Sequence, residues 1–245
     1  MHSNYTMYTN WALTETLVPD EQNHFLELDP DALMSCVNTY ALSQTILDRE
    51  MLIKFVDQIP NCTDRFIYYA LFEGIAGELF CDITQAHFSD IDVETKTMKL
   101  FSGRTVDVSL KLIDVAELAA NEEIYHTYGK QPKDLPYREV GTDLIFKTIG
   151  GMNLMNENNS LINQAQSLSR RFIRGLDFVG LPRQLTAKRL MVSGKLAFIK
   201  GLYNKEEMPL EQFLKERGEE IDERYPVEKI RSIPMFMRKY GEYFK

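Results

Sequence analysis

The segment FIYYALFEGIA, residues 66–76, constrains the fold more than any other part of this sequence. Written as a helix it is apolar almost all the way round, so neighbouring elements must cover it on every side. The chain has 245 residues, 44% of them hydrophobic, which is enough for one good-sized core or for a large domain with a small appendage. We therefore expect a globular protein assembled around this helix.

The remaining sequence supplies elements that can cover this helix. The pattern of residues 46–59 predicts an amphipathic helix, and TMKLFSGRTVDV predicts a β-hairpin over 97–108 that turns at Ser102-Gly103. Ser109 is the predicted N-cap of a helix through LKLIDVAELAANEEIY, and residues 137–149 are a candidate third strand. Further helices are predicted at about 161–178, 186–203, 210–217 and 228–243. The predicted fold class is α+β, mainly α-helical with a small antiparallel three-stranded sheet.

The N-terminal part of the chain has much weaker patterning. It contains two short helical stretches, NWALTETL and DPDALMSCVNTYAL, the second with Asp29 as its N-cap and Pro30 at the first helical position. These stretches are too short for a separate large domain. We predict an N-terminal helical segment or linker at residues 1–45 and one main domain at residues 46–245.

The composition excludes several classes of protein. No run approaches the roughly 18 apolar residues of a membrane span, and the N-terminus MHSNYTMYTNW lacks the features of a secretory signal, which favours the cytoplasm. The cysteines and histidines are too scattered for a disulfide framework or for two metal ligands on one helix face. These residues are Cys36, Cys62, Cys81, His2, His24, His87 and His126. We therefore expect no metal and no cofactor.

The net charge of −8 hides a strong asymmetry along the chain. Residues 1–95 contain sixteen acidic residues against three basic ones, whereas residues 165–205 contain nine basic residues and a single acid, Asp177. Charges are largely screened beyond about 8 Å at physiological salt. A basic surface on the second half can therefore attract phosphates although the first half is acidic.

Three separated segments agree in order and spacing with one known pattern. They are DITQAHFSDID at residues 82–92, VETKTMKLFSGRTVDVS at 93–109, and NSLINQAQSLSRRFIRGLDFVGLPRQLTAKRL at 159–190. They resemble the acidic segment, the strand–turn–strand unit and the Gly-Leu-Pro turn with second motif of the tyrosine recombinases, the phage integrase family. The resemblance covers roughly residues 46–205. It implies the fold of the recombinase catalytic domain, with residues 1–45 as the remnant of an N-terminal core-binding domain.

The recombinase reaction needs residues that this sequence lacks. In that family a tyrosine attacks the scissile phosphate, two arginines neutralise its oxygens, and a lysine and a histidine handle protons. The resemblance places Leu79 and Met191 at the two arginine positions and Lys188 at the histidine position. Because neither Arg nor Lys occurs between Arg65 and Lys96, a shifted alignment does not restore the first arginine.

The other catalytic positions are altered or ambiguous. Gly218-Glu219 corresponds to a Gly-His pair, which puts a glutamate beside the phosphate. Candidates for the hairpin lysine are Lys96, Lys99 and Arg104, and candidates for the nucleophile are Tyr225, Tyr240 and Tyr243. The loss of two arginines alone would slow the chemistry about 10⁴- to 10⁶-fold. The resemblance therefore implies that the protein is not an enzyme.

The same resemblance implies double-stranded DNA as a partner, because the DNA-contacting helices of the family are the two that are basic here. Arg170 and Arg174 lie four residues apart on one side of the first, and the N-terminus of the second is itself favourable for phosphate. Six to eight phosphate contacts would give a log–log salt slope near −0.9 per contact. The predicted nucleic-acid-binding residues are Arg170, Arg171, Arg174, Arg183, Lys188, Arg189, Lys195 and Lys200.

A recombinase fold that binds DNA without cleaving it suits a transcriptional repressor. The chain is similar to the recombinase-derived lysogeny repressors of SPbeta-like Bacillus phages, so we predict a phage or prophage repressor that regulates lysogeny. Two alternatives stay open: an active recombinase with a phosphotyrosine intermediate, and an interaction module whose basic face is merely solvated.

The C-terminal helix carries an apolar stripe with two interpretations. It either packs onto the core of its own chain or forms a surface for a homo-oligomer. The residues of this stripe are Ile230, Ile233, Phe236, Met237, Tyr240 and Phe244.

Overall fold

The structure is a computed structural model that describes residues 2–15, 17, 23, 45–149, 161–203 and 208–244. The chain divides into two compact units, Met1–Ser43 and Gln44–Lys245. In the first unit the described helix is α1, His2–Thr14, which overlaps the first of the two weak helical stretches. The second stretch, with Asp29 and Pro30, lies outside the described residues.

The second unit is mainly helical with small antiparallel sheets, which confirms the predicted α+β fold class. Its helices are α2 Arg49–Val56, α3 Cys62–Phe72, α4 Cys81–Thr84, α5 Leu110–Asn121, α6 Leu161–Val179, α7 Ala187–Tyr203, α8 Leu210–Arg224 and α9 Ile233–Tyr240. Its strands are β1 Ile91–Asp92, β2 Thr97–Lys99, β3 Thr105–Asp107, β4 Ile124–His126 and β5 Asp134–Pro136. Short 3₁₀ turns include Glu78–Phe80 and Gly241–Phe244.

Helix α3 lies at the centre of this unit and is buried along almost its whole length, as its all-round apolar sequence predicts. It packs against α5, α6 and α7. The helices approach closely because two glycines face it. A Cβ on Gly194 of α7 would lie 1.6 Å from the carbonyl oxygen of Phe72, and one on Gly175 of α6 would lie 2.4 Å from the hydroxyl of Tyr68.

Side-chain caps set the starts of two helices. The carboxylate of Asp48 accepts a hydrogen bond from the amide of Met51 at 2.7 Å at the start of α2. The hydroxyl of Ser109 accepts one from the amide of Leu112 at 3.2 Å at the start of α5, as predicted. Helix α5 ends at Asn121, earlier than the sequence pattern indicates, because the chain continues into β4.

The three-stranded sheet has the order β1–β2–β3 and is antiparallel. Met98 pairs with Val106, which confirms the hairpin around Ser102-Gly103, and with Ile91 on its other side. The prediction of a third strand at 137–149 is wrong. In the described chain the third strand is β1, while residues 137–149 contribute only isolated bridges.

The C-terminal elements differ in length from the prediction. Helix α8 runs seven residues beyond the predicted end at 217, and α9 begins at Ile233 rather than near 228. The hydroxyl of Ser232 caps α9, and a proline occupies its first turn. The chain between α8 and α9 is therefore a non-helical connection, residues 225–232.

Candidate nucleic-acid interface

Helix α6 presents a long polar face that carries two of the predicted DNA-binding residues. Arg170 and Arg174 are exposed on it, four residues apart as the spacing predicts. Exposed amide and hydroxyl side chains accompany them: Asn163, Gln166, Ser167 and Ser169. No carboxylate occurs in α6 before Asp177. Asp177 lies three residues after Arg174 on the same side, where Arg183 pairs with its carboxylate. The turns before Asp177 can therefore donate hydrogen bonds to phosphate oxygens and base edges.

Arg171 does not belong to this face, which corrects its assignment as a DNA-binding residue. It is 2% exposed and forms an ion pair with the carboxylate of Asp64 on α3. Its guanidinium also donates to the backbone oxygen of Lys147 at 2.9 Å and lies 4.7 Å from the ring centre of Phe146. Although burial opposes its charged form, the charge of Asp64 holds the pKa of Arg171 above its usual value. Arg171 joins α6 to the core.

Two further predicted cations are exposed but already engaged. Arg183 makes a two-pronged ion pair with Asp177, at 2.8 and 2.7 Å, and this pair raises the pKa of Arg183. The ammonium of Lys200 lies 5.1 Å from the ring centre of Tyr243. Arg183 lies beside α6, whereas Lys200 lies in the last turn of α7.

The first turn of α7 brings a second pair of predicted cations together. Lys188 is exposed and Arg189 is half-buried, and the hydroxyl of Thr186 accepts a hydrogen bond from the amide of Arg189 at 3.2 Å. Both cations face Glu228, with their nearest nitrogens 3.7 Å from its Oε1.

Lys195, a residue of the predicted set, is also buried, and its assignment to the DNA-binding surface is corrected. It is 2% exposed, and its ammonium donates a hydrogen bond to the carboxylate of Asp222. The ammonium also donates to the backbone oxygens of Val227 and Glu228, both at 3.1 Å. Burial lowers the pKa of Lys195, and Asp222 offsets part of that effect. Lys195 fastens the connection between α8 and α9 to α7.

A cleft of about 1060 Å³ lies between the 76–80 segment, the β2–β3 hairpin, the start of α7 and helix α8. Its lining joins residues far apart in sequence, including Ala76, Phe80, Arg104, Lys188, Met191 and Glu219. The buried carboxylate of Asp82 holds the hairpin at this wall by accepting hydrogen bonds from the amide and hydroxyl of Ser102. The cleft therefore collects most of the positions that the recombinase resemblance assigns to catalysis.

The residues at those positions differ in charge from those of the recombinase set. Met191 and Lys188 line the cleft at the predicted second-arginine and histidine positions, and Glu219 faces the same space. Leu79 instead lines a separate depression beside α6, while its neighbour Glu78 lines the cleft. Cleft carboxylates outnumber its cations. The former are Glu78, Glu219, Asp222 and Glu223, and the latter are Arg104, Lys188 and Lys229.

None of the three candidate tyrosines lies free in the cleft. The hydroxyl of Tyr240 donates to Oε2 of Glu228 at 2.6 Å, and burial together with that carboxylate raises the pKa of Tyr240. Tyr225 is buried, and burial raises its pKa. Tyr243 is half-buried under Lys200, and burial raises its pKa as well. Raised pKa values disfavour the phenolate that a nucleophile requires.

Two residues at this site have no distinctive sequence signal. Glu228 and Lys239 meet at 2.6 Å beside the cleft wall, and Glu228 also faces Lys188 in the first turn of α7 and accepts a hydrogen bond from the hydroxyl of Tyr240. In the sequence, Glu228 lies in a segment predicted to be helical, and Lys239 has the position of an ordinary cation in the last turn of a helix. Neither position indicates a contact with the other residue.

The described part of the chain contains no group of three or more His, Cys, Asp or Glu residues arranged to hold a metal ion. Within the same residues, every helix is too short or too polar to cross a membrane.

The fold and this cleft together define a recombinase-derived domain. Residues 46–241, which are 196 of the 245 residues, match the family described as MrpR, C-terminal catalytic domain. The chain belongs to this family. A comparison with curated proteins gives no match.

Proposed function

We propose that this protein binds double-stranded DNA without cleaving it and acts as a phage or prophage transcriptional repressor that regulates lysogeny. The observation that carries the proposal is the polar face of α6, with Arg170 and Arg174 exposed among amides and hydroxyls, no carboxylate before Asp177, and Asp177 itself paired with Arg183. Arginine and glutamine are the side chains that read guanine and adenine edges in the major groove. The family match supports a recombinase-derived scaffold for this face.

The composition of the cleft supports the absence of cleavage. A phosphoryl-transfer site needs fixed positive charge around the phosphate oxygens, and each lost donor costs about 2.7 to 4 kcal/mol of transition-state stabilisation. Here Met191 replaces one arginine, and Glu78 and Glu219 add negative charge. A scissile phosphate placed beside Met191 would therefore meet Glu78 and Glu219 in the cleft instead of two arginines.

Gel-shift titrations test the proposal. The probes are phage and host promoter fragments and a random-sequence duplex, each at about 50 and about 200 mM salt, where phosphate-dominated binding weakens steeply. We expect a promoter fragment to shift at low salt and to bind more tightly than the random duplex. Failure of every fragment to shift would contradict the proposal.

A matched pair of variants tests the assigned surface. Arg170→Ala/Arg174→Ala should weaken operator binding at least about tenfold, since losing one base-contacting arginine costs about 1 to 3 kcal/mol. Lys54→Ala/Lys215→Ala removes the same charge from exposed positions on α2 and α8 and is the control. Equal weakening by both pairs would show general electrostatic attraction instead of a binding face.

The same samples test the alternative of an active recombinase. Incubation with nicked duplex, followed by denaturing electrophoresis, traps a covalent protein–DNA adduct if a tyrosine attacks. We expect no adduct. An adduct that disappears in Tyr240→Phe or Tyr243→Phe would replace the repressor proposal with a recombinase.

A further inference from the structure

Four donors on two helices, α7 and α9, converge on the single carboxylate of Glu228. Its Oε2 accepts hydrogen bonds from the ammonium of Lys239 and the hydroxyl of Tyr240, both at 2.6 Å. Its Oε1 lies 3.7 Å from the nearest nitrogens of Lys188 and Arg189. Cations from α7 and α9 that are separated by about fifty residues in sequence thus share one anionic group.

The carboxylate satisfies one side of this cluster well and the other side poorly. Distances of 3.7 Å to Lys188 and Arg189 exceed hydrogen-bond length, and the buried Nη1 atom of Arg189 has no hydrogen-bond partner among the described residues. The carboxylate of Glu228 is tethered to its own backbone, whereas a DNA phosphodiester, with two charged non-bridging oxygens in a tetrahedral arrangement, can approach from the exposed side of Lys188. The cluster can therefore hold a phosphodiester with shorter contacts to Lys188 and Arg189 than Glu228 makes.

Neighbouring residues hold the backbone of Glu228 in an unfavourable conformation. Its φ of 43° lies in the left-handed region, which disfavours residues that carry a Cβ. The buried ammonium of Lys195 binds the backbone oxygens of Val227 and Glu228 and fixes this turn. Although burial opposes the charged form, Lys239 and Tyr240 hold the pKa of Glu228 below its usual value, so it stays anionic.

We propose that Lys188, Arg189 and Lys239 form a phosphate-binding site that Glu228 occupies from within, so that this carboxylate competes with a DNA phosphate and limits affinity. The proposal deepens the proposed function and rests on it for the identity of the ligand. Its physical basis is the side chain of Lys188, which is 65% exposed, and the partial exposure of Arg189 and Lys239, through which a phosphate can reach the cluster.

The test compares Glu228→Gln with Glu117→Gln, which removes the same charge from an exposed site on α5. On a random-sequence duplex, Glu228→Gln should bind about 3- to 10-fold more tightly than wild type, with a salt slope steeper by about 0.9 per freed cation. It should also leave a heparin column at higher salt. Glu117→Gln should change both readouts much less. Equal changes in the two variants, or none, would overturn the proposal.

Two further variants keep the result interpretable. Tyr240→Phe removes one holder of the carboxylate and leaves every cation, so it should move heparin elution in the same direction by a smaller step. If Glu228→Gln does not fold by circular dichroism, the absence of any shift in Tyr240→Phe contradicts the proposal. Adding Lys188→Gln to Glu228→Gln should cancel part of the gain.

The two readouts separate this proposal from the proposed function. Stronger heparin retention by Glu228→Gln without duplex binding by either protein supports the anion site and rejects DNA as its ligand. Duplex binding by wild type that Glu228→Gln leaves unchanged supports the proposed function and rejects the competition by Glu228.

Discussion

Gly194 allows α7 to lie directly against the backbone of the central helix. A Cβ at this position would lie 1.6 Å from the carbonyl oxygen of Phe72, an atom that cannot move without shifting α3. Gly194→Ala should therefore lower the free energy of unfolding by about 3 kcal/mol or more. Urea denaturation measures the change.

A second glycine of α7 provides the control for that substitution. Gly201 has open space where a Cβ would lie. Gly201→Ala should be neutral or stabilise the protein by up to about 1 kcal/mol, because alanine favours a helix interior. Equal destabilisation by both variants would contradict the contact with Phe72 as the cause of the loss, because helix propensity favours alanine at both positions.

Arg170 and Arg171 are adjacent but have opposite roles. Arg171→Met leaves the buried carboxylate of Asp64 without its ion-pair partner and should cost about 3 to 5 kcal/mol of stability. Arg170→Met should change stability by less than about 0.5 kcal/mol and weaken DNA binding instead. Thermal denaturation and gel shifts of the two variants check both statements. A folded Arg171→Met protein that binds DNA normally is the expected result below its melting temperature.

The same pair shows what the sequence could predict of the candidate site. The spacing of Arg170 and Arg174 placed them correctly on one exposed side of α6. Successive residues on a helix differ by about 100° in direction, so Arg171 turns toward the core. Its burial depends on Asp64, which lies about a hundred residues earlier. A local sequence pattern cannot predict a pairing over that distance. Lys195 and Asp222 repeat this situation.

At the scale of elements, local turn chemistry predicted the hairpin well, because Gly103 adopts the positive φ of 87° that the turn requires and backbone hydrogen bonds within residues 100–104 close it. The third strand failed for a tertiary reason. Residues 137–149 alternate like a strand, but Lys147 turns inward and donates to the backbone oxygen of Glu122 at 2.7 Å at the end of α5. Strand β1 has two residues, too few for a detectable alternation.

The contact of Asp143 with His87 and Ser89 should be sensitive to acid. Hydrogen bonds from Ser89 and His87 hold the pKa of Asp143 at about 2, below the ordinary 3.8. A carboxyl group with a lowered pKa stabilises the folded state at pH values above its pKa in the unfolded chain. This contribution is lost as the pH falls from about 3.8 to about 2. Thermal melts over this window should fall less steeply for Asp143→Asn than for wild type.

An exposed carboxylate on α5 gives the comparison for this experiment. Asp114→Asn should leave the acid dependence of the melting temperature close to that of wild type. A slope that Asp143→Asn leaves unchanged would show that the contact with Ser89 and His87 forms no part of the acid response.

At the scale of the whole molecule, a net charge of −8 is compatible with a basic surface because the basic residues are concentrated in the second half of the chain. Four carboxylates line the cleft that collects the recombinase catalytic positions, while α6 carries Arg170 and Arg174 with no carboxylate before Asp177. Helix α6 contributes no residue to the described lining of the cleft, so DNA binding through α6, as proposed, does not require the cleft to keep its chemistry. Phe236 and Tyr240 of α9 pack within their own chain, and self-association through the remaining apolar residues stays a prediction.

The salt dependence of DNA binding measures how many of the predicted DNA-binding cations contact phosphates. The buried Arg171 and Lys195 leave six of the eight predicted residues able to reach phosphates, which sets an upper limit near 5 on the log–log slope of one bound protomer. Arg183 is held by Asp177, and Glu228 faces Lys188 and Arg189, so we expect a value between about 3 and 5. Gel shifts over a salt series give the slope, and analytical ultracentrifugation gives the number of protomers on the DNA. A slope well above 5 with one protomer bound would mean that cations outside this set contact the phosphates. The same slope with two protomers bound would agree with the assigned surface and make self-association part of DNA binding.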